Sequence, residues 1–318
     1  CDEDGRKVPR EVDLTYASRE ITLRVILGKL LGINDKNRVK CILESLTDVD
    51  NFQVPYFYIF SHKIKNAPIH NEKLGLYFDP LIFEHIDQHL DHPDQYQDIL
   101  ASYIATDFVK AMPRAEQRIY LRSMVFTYIL AGFESTGSGL FSTLFLLASH
   151  PEKLRKVREE ILSAFPDSPL KSQDVLSKLP YTYAAVNEAL RLYPPVWFNG
   201  REATQDTTFR GIPIQKGDIM LTSPYVIQRN PLYWENPSEF LPERFLEKNV
   251  PMGAYVPWGS GPRLCAGKWL ALFELILATA TIVKEYDFNV AYEGEFELTT
   301  FFTLRPKNTF RATLTPLP

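Results

Sequence analysis

Apolar residues recur with the period of an α-helix through most of the first two thirds of the chain. Over residues 12–31 they fall near one face, which predicts an amphipathic helix that Gly32 ends. A longer helix is predicted from Pro113 to His150, and because it is apolar on most faces we expect it to be buried along its length. Gly, Ser and Thr are frequent at its middle, residues 132–139, and predict a local break there.

The pattern changes after the Pro194-Pro195 pair, where Gly, Pro and β-branched residues become more frequent. Residues 211–217 are predicted to form a hairpin and residues 286–318 short strands. Two further helices are predicted to begin at Pro151 and Pro180, and the aromatic-rich residues 51–80 to form short helices and loops over something apolar. The predicted fold class is therefore mainly α with small β-sheets (α+β).

Composition narrows the class of protein. The 318 residues are 45% hydrophobic and 23% charged, as in a soluble globular protein, and no uninterrupted apolar run reaches the roughly 18 residues of a membrane span. The chain has 35 Lys and Arg residues and 39 Asp and Glu residues, which gives a net charge of 35 − 39 = −4. A nucleic-acid-binding domain is usually basic, so no nucleic-acid partner is expected. Three cysteines are too few for a disulfide framework. The composition does not exclude a membrane anchor upstream of the first residue.

A glycine-rich loop, residues 258–267 (WGSGPRLCAG), carries the most specific chemistry. Its three glycines allow the backbone to wrap closely around Cys265, and an apolar helix follows from about Lys268. Nearby amides and a helix N-terminus favour a thiolate, and Arg263 suits an anionic ligand or a cofactor carboxylate. The structural alternative is a small buried hydrophobe in a tight turn.

Three other motifs follow a helical or turn pattern. Glu188 and Arg191 lie three residues apart and can pair on one helix face, and Arg244 of FLPERF could add a second cation. Residues 131–136 (AGFEST) place an acid and hydroxyls in the middle of the long helix. Alone, the spacing of Glu188 and Arg191 is a weak signal, because surface Glu/Arg pairs are common and contribute little to stability.

In this order, the four motifs resemble those of the cytochrome P-450 family of haem-thiolate proteins. The cysteine loop resembles FxxGxRxCxG, with Trp258 for the usual Phe; NEALRLYPP resembles the ExxR helix, FLPERF the PERF segment, and AGFEST the AGx(D/E)T(T/S) motif, with Ser135 for the usual Thr. The resemblance implies a long central distal helix over haem and a proximal cysteine loop. It also implies a single domain over residues 1–318 that lacks roughly the N-terminal third of the family fold.

The resemblance implies roles for individual residues. Cys265 would be the metal ligand of haem b, and Glu188, Arg191 and Arg244 a buried structural network. Proton delivery would fall to Glu134, Ser135 and Thr136. The further cofactor-binding residues would be Arg263, Arg201, Gly132 (letting the helix open beside the haem), Trp258, Gly259 and Gly267. The residues expected to face an apolar substrate, each of which could equally be core, are Thr127, Ala131, Phe133, Val196, Trp197, Phe198, Phe301 and Phe302.

The implied function is a monooxygenase that inserts one oxygen atom of O2 into an apolar organic substrate. Its electrons would come ultimately from NAD(P)H through a reductase or ferredoxin-type donor. The alternatives are a peroxide-dependent or hydroperoxide-rearranging enzyme and a truncated, non-catalytic haem binder. Membrane association would come through a missing N-terminal segment, with placement at the endoplasmic reticulum membrane (cytoplasmic face) if eukaryotic and in the cytoplasm if bacterial.

One basic surface invites two interpretations. The first half of the helix after Pro151, together with the start of the helix after the cysteine loop, could attract an acidic electron donor. An ordinary solvated helix face is the better interpretation. The residues concerned are Lys153, Arg155, Lys156, Arg158 and Lys268.

Overall fold

The computed structural model describes residues 8–50, 79–166, 170, 172–247, 250, 253–300 and 303–317. The chain divides into two compact units, called here unit A (Thr15–Gly137) and unit B (Cys1–Leu14 with Ser138–Pro318). One long helix contributes residues to both. The single domain predicted over residues 1–318 stays a prediction.

Helices predominate in the described residues, and the strands are short. The α-helices are α1 Leu14–Leu30, α2 Lys36–Asp50, α3 Asp79–Asp91, α4 Ile99–Ile104, α5 Asp107–Lys110, α6 Arg114–Ser149, α7 Pro151–Ala164, α8 Ser172–Lys178, α9 Pro180–Leu192, α10 Pro224–Ile227, α11 Glu243–Leu246 and α12 Lys268–Glu285. The strands are β1 Arg10–Asp13, β2 Asn199–Glu202, β3 Thr207–Phe209, β4 Ile212–Ile214, β5 Ile219–Thr222, β6 Tyr286–Tyr292, β7 Leu298–Thr300, β8 Leu304–Pro306 and β9 Phe310–Pro316. Pro93–Gln95 and Gly261–Arg263 form single 3₁₀ turns.

Unit A is built on the first two thirds of α6. One buried residue in every four, Leu121, Val125, Ile129 and Phe133, gives this part of the helix an apolar stripe. The stripe joins side chains of α1, α2 and α3 in one hydrophobic core. The prediction that the long helix is buried along its whole length is therefore wrong before residue 133, where the other faces are partly or fully exposed.

The predicted break in the middle of α6 is also wrong, since the helix runs without interruption from Arg114 to Ser149. Its glycines serve close packing instead. A Cβ atom added to Gly132 would lie 3.0 Å from Cδ1 of Ile26, and one added to Gly137 would lie 3.0 Å from the Cα atom of Arg19. Helix packing against α1 thus outweighs the poor helix propensity of these residues.

Unit B combines α7, α8, α9 and α12 with four small antiparallel sheets. The largest has the strand order β1-β9-β6, in which Ala312 pairs with both Val12 and Val290. The other sheets are the pairs β2-β5, β3-β4 and β7-β8. Strands β6 to β9 confirm the strands predicted in residues 286–318.

The predicted hairpin at residues 211–217 is shifted along the chain. The hairpin is formed by β3 and β4, and its turn is at Arg210 and Gly211, which have φ values of 49° and 81°. Gly217, with φ of 91°, belongs to the next turn, before β5. Gly211 and Gly217, both with positive φ, therefore belong to two successive turns, whereas the prediction placed both in a single hairpin.

None of the helices in the described part of the chain is long and apolar enough to cross a membrane. The aromatic-rich residues 51–78, predicted to form short helices and loops, lie outside the described residues.

Candidate cofactor site

The cysteine loop presents its thiol on the surface of unit B. Cys265 is exposed and forms no disulfide. Its amide donates to the carbonyl oxygen of Trp258 at 2.9 Å, which closes the loop, and α12 begins three residues later at Lys268. Gly259 and Gly261 adopt φ values of 71° and 66°, a left-handed conformation in which a side chain would be strained. An accessible sulfur at the start of an 18-residue helix is well placed to be a thiolate ligand.

A buried ion-pair network lies at the end of α9. Glu188 and Arg191 have fully buried side chains and form two parallel hydrogen bonds, from Nε to Oε2 at 2.7 Å and from Nη2 to Oε1 at 2.8 Å. Nε of Arg244 donates to Oε1 of Glu188 at 3.3 Å, and the amide of Leu241 donates to the same oxygen at 3.0 Å. The structure thus brings together the three residues that the motifs named, and each carboxylate oxygen has a donor.

Arg191 also binds the backbone of the segment that follows α10. Its guanidinium donates to the carbonyl oxygens of Gln228 at 2.7 Å, Pro237 at 2.8 Å and Glu239 at 3.0 Å, and its Cζ atom lies 5.0 Å from the ring centre of Trp234. Together with the two bonds to Glu188, these contacts use every N–H donor of the guanidinium. Lysine could not replace arginine here, because its ammonium group cannot donate in all of these directions.

Hydrogen bonds continue from this network to the cysteine loop. The side-chain amide of Gln228 donates to the carbonyl oxygens of Leu190 and Arg191, and its Oε1 accepts from the amide of Val256 at 2.8 Å. The carbonyl of Val256 then accepts from the amide of Gly259 at 3.1 Å. The buried network therefore holds the entry to the loop that carries Cys265.

The residues around the loop suit an anionic, flat cofactor. Arg263 and Arg201 are exposed, and Arg201 donates only to its neighbour's carbonyl oxygen among the bonds found in the described chain. The indole Nε1 of Trp258 is buried and has no hydrogen-bond partner in the described part of the structure. Leu264, beside the thiol, is 51% exposed. A free thiol with an adjacent apolar side chain and one cation, Arg263, in the same loop is a donor set that fits haem. Gly267 allows space beside the thiol, since its added Cβ would lie 3.9 Å from Sγ.

The acid of the long helix is held inside unit A. Glu134 is 1% exposed, and one of its carboxylate oxygens lies 2.8 Å from Nε of Arg19 on α1. The hydroxyl of Ser135 donates back to the carbonyl oxygen of Ala131 at 2.6 Å, and Thr136 is buried. Sequence reasoning missed Arg19, because the helix that supplies it lies more than a hundred residues earlier.

The residues expected to face substrate have different environments. Thr127 and Ala131 are exposed, and the hydroxyl of Thr127 donates to the carbonyl oxygen of Ser123. Phe133 agrees with the core alternative: it belongs to the core of unit A, with Arg19 over its ring and its carbonyl oxygen bound by Thr22. The i,i+4 register of the apolar stripe places it there.

In unit B, Val196 and Trp197 are partly exposed, and Phe198 is buried against the ring of Trp197. Phe301 and Phe302 lie outside the described residues.

The basic face of α7 is largely neutralised within unit B. Lys153 and Lys156 both bind Glu243 of α11, at 3.1 Å and 2.8 Å. Partial burial alone would raise the pKa of Glu243, but hydrogen bonds from these lysines and from Tyr181 lower it to about 2. Arg158 binds the end of α12 and Asp287, and Arg155 faces Glu159. These contacts support the interpretation of an ordinary helix face over a docking surface. Lys268 lies over the ring of Trp269.

Comparison with known proteins identifies the class. A sequence model of the family Cytochrome P450 matches residues 3–312. The chain belongs to this family, and membership implies a haem cofactor.

Similar individual proteins come from mammals. Cytochrome P450 3A6 of Oryctolagus cuniculus is 37% identical over 173 residues, which cover 54% of this chain and 34% of the relative. Cytochrome P450 3A13 of Mus musculus is 34% identical over 200 residues, 62% of this chain and 39% of the relative. Cytochrome P450 3A7 of Homo sapiens is 34% identical over 188 residues, which cover 58% of this chain and 37% of the relative. The matched part of the chain spans between a third and two fifths of the length of these relatives.

Proposed function

We propose that this chain is the haem-binding part of a monooxygenase that inserts one oxygen atom of O2 into an apolar organic substrate. The observation that carries the proposal is the exposed, unbridged thiol of Cys265 at the start of α12, in a loop tied to the buried Glu188 network. Family membership and the mammalian relatives support the same activity.

Cys265 would ligate the iron of haem b, and Arg263 and Arg201 would bind its carboxylates. When bound, the haem held by Cys265 would supply the chemistry that activates dioxygen. The loop holds Cys265 exposed, three residues before the N-terminus of α12. Glu188, Arg191 and Arg244 would hold the loop, and they touch no reacting atom.

Glu134, Ser135 and Thr136 would supply the protons that dioxygen activation consumes. The carboxylate of Glu134 is held in its ion pair with Arg19, and Ser135 is the partly exposed member of the three. Ser135 would therefore be the partly exposed alcohol, and Glu134 the buried acid, of the residues that deliver protons. Gly132 would serve helix packing and not an opening of α6.

The finer parts of the proposal concern partners. Electrons would come ultimately from NAD(P)H through a reductase or ferredoxin-type donor, and the substrate would be apolar. The compartment would be the endoplasmic reticulum membrane, on its cytoplasmic face, if this chain is eukaryotic like these relatives.

An isotope experiment tests the proposal. The haem-loaded chain would be incubated with an apolar probe substrate, NADPH, a reductase and ¹⁸O2, and the product analysed by mass spectrometry. We expect one ¹⁸O atom per product molecule and none with Cys265→Ala. Product formed from peroxide without the reductase, and none with ¹⁸O2, would favour the peroxide-dependent alternative. Haem uptake with no product under either condition would favour a non-catalytic haem binder.

A further inference from the structure

A second cluster of metal-binding side chains lies within unit A, apart from the cysteine loop. It consists of His85 and His89 on α3 and Asp98, which begins α4. The ligand atoms of the three residues all lie within 4.8 Å of one another. Imidazole nitrogens and a carboxylate oxygen are the ligands that zinc shares with other borderline divalent ions.

The hydrogen bonds of His89 require a cation between it and Asp98. Its Nδ1 lies 2.8 Å from the backbone carbonyl oxygen of His85, which can only accept, so Nδ1 carries a hydrogen. In the neutral ring Nε2 then bears a lone pair, yet it lies 2.8 Å from Oδ2 of Asp98, another acceptor. His89 is completely buried. At 2.8 Å this contact fits a second proton on the ring, and a metal ion would replace that proton only after Nε2 and Oδ2 had moved apart to about 3.3 Å.

The surroundings favour a metal ion. Nε2 of His85 is buried and has no hydrogen-bond partner in the part of the chain that is described. A hydrogen bond from Nδ1 to a carbonyl oxygen is also the usual support for a histidine that binds metal through Nε2.

Asp98 is held in place for the same role. Its Oδ1 accepts from the amide of Ala101 at 2.9 Å and caps α4, which leaves Oδ2 directed at His89. The other carboxylates nearby on α3 are already engaged, Asp87 with Arg118 and Asp91 with Arg114. The ring of Tyr96 stacks on His89 with centroids 3.6 Å apart and covers one side of the cluster.

We propose that His85, His89 and Asp98 form a zinc site that joins the end of α3 to the start of α4. Tetrahedral bonds of about 2.0–2.1 Å place ligand atoms about 3.3 Å apart. The ion would therefore draw the longest of these separations inward by roughly 1.5 Å and widen the 2.8 Å contact between His89 and Asp98 by roughly 0.5 Å. A water molecule would complete the four ligands. The bound ion would fix the loop at residues 92–98 and stabilise unit A.

Metal titration tests this site independently of the proposed monooxygenase activity. Zn²⁺ would be titrated by competition with a chromophoric chelator, on the haem-loaded chain and again on Cys265→Ser. We expect one saturable zinc per chain in both, and a rise of several degrees in the melting temperature with excess zinc. The variants are His85→Gln and Asp98→Asn; asparagine retains the helix cap. The matched control is His92→Gln, an exposed histidine just after α3.

We expect zinc affinity to fall at least about 100-fold in His85→Gln and Asp98→Asn, since even supporting residues cost 10- to 100-fold, and to be unchanged in His92→Gln. Co²⁺ bound to the unsubstituted chain should give ligand-field bands without a thiolate charge-transfer band. Absence of saturable binding, equal affinity in all variants, or a thiolate band from Cys41 or another cysteine would overturn the site. The cobalt spectrum decides the matter even if the variants fail to fold.

Discussion

Glu188 is the buried carboxylate at the centre of the ion-pair network of unit B. It is fully buried, and its charge is balanced by Arg191 and Arg244. Removing Arg191 would leave a buried carboxylate without its bidentate partner and three backbone carbonyls without their donor. We expect Arg191→Ala to lower the free energy of unfolding by about 3–5 kcal/mol in urea titrations.

Arg155→Ala is the matched control for Arg191→Ala. Arg155 is mostly exposed and lies 3.7 Å from Glu159, so its loss should cost less than about 1 kcal/mol. Similar small losses for both variants would contradict the buried network.

Glu274 on α12 predicts a pH dependence of stability. Burial raises its pKa from 4.5 to about 8, and its Oε1 has no partner in the described structure. The folded chain therefore holds a proton that the unfolded chain releases above about pH 4.5, and this carboxyl group makes stability fall as the pH rises toward 8. Glu274→Gln removes the charge, so its gain in melting temperature over the unsubstituted chain should be larger at pH 8.5 than at pH 5.

The exposed Glu235→Gln is the control, and it should show the same difference at both pH values. An equal effect of Glu274→Gln at the two pH values would show that this carboxyl group is charged in the folded chain.

At the residue scale, the sequence predicts those contacts and turns that residues close together in the chain determine. The three-residue spacing of Glu188 and Arg191 determines that they can pair, and the glycines at 259 and 261 indicate a turn that side chains would strain. The sequence does not predict a contact whose partner comes from another helix. Arg19 lies beside Glu134 because α1 packs against α6, and no local pattern encodes that packing.

At the scale of elements, the packing of α1 against α6 depends on two glycines with different neighbours. A methyl group at Gly137 would lie 3.0 Å from the Cα atom of Arg19. Because this atom belongs to the backbone of α1, it cannot move aside as a flexible side chain could. We expect Gly137→Ala to destabilise the chain by about 1–3 kcal/mol in urea unfolding, although alanine gains about 1 kcal/mol in helix propensity.

Gly132→Ala is the comparison within the same helix. Its methyl group would meet only the flexible end of Ile26, so we expect little loss or a small gain in stability. A greater loss at Gly132 than at Gly137 would contradict this account of the packing.

Element boundaries followed the sequence closely where proline begins a helix. The helices at Pro151 and Pro180 begin at the predicted residues, and α6 ends within one residue of the prediction. The continuity of α6 through residues 132–139 and the position of the β3-β4 hairpin could not be predicted, because glycine serves close helix contact in the first case and two successive turns in the second. His85 and His89 were overlooked, although their four-residue spacing on a helix is a signal for a shared ligand.

At the scale of the whole molecule, the sequence predicted the fold class and the family through four ordered motifs. It could not predict the division into units A and B, since a contact pattern among distant segments defines it. The matched segments cover only a third to two fifths of the relatives, so the central question is whether this chain holds its cofactor.

The carbon monoxide difference spectrum of the ferrous, haem-reconstituted chain answers that question most directly, beside Cys265→Ala and, as a matched control, Cys41→Ala. We expect the strongly red-shifted Soret band of thiolate-ligated haem in the unsubstituted chain and in Cys41→Ala, and its loss in Cys265→Ala. A chain that takes up no haem, gives only an imidazole-type spectrum, or keeps the red-shifted band without Cys265 would contradict the assignment of Cys265 as the iron ligand.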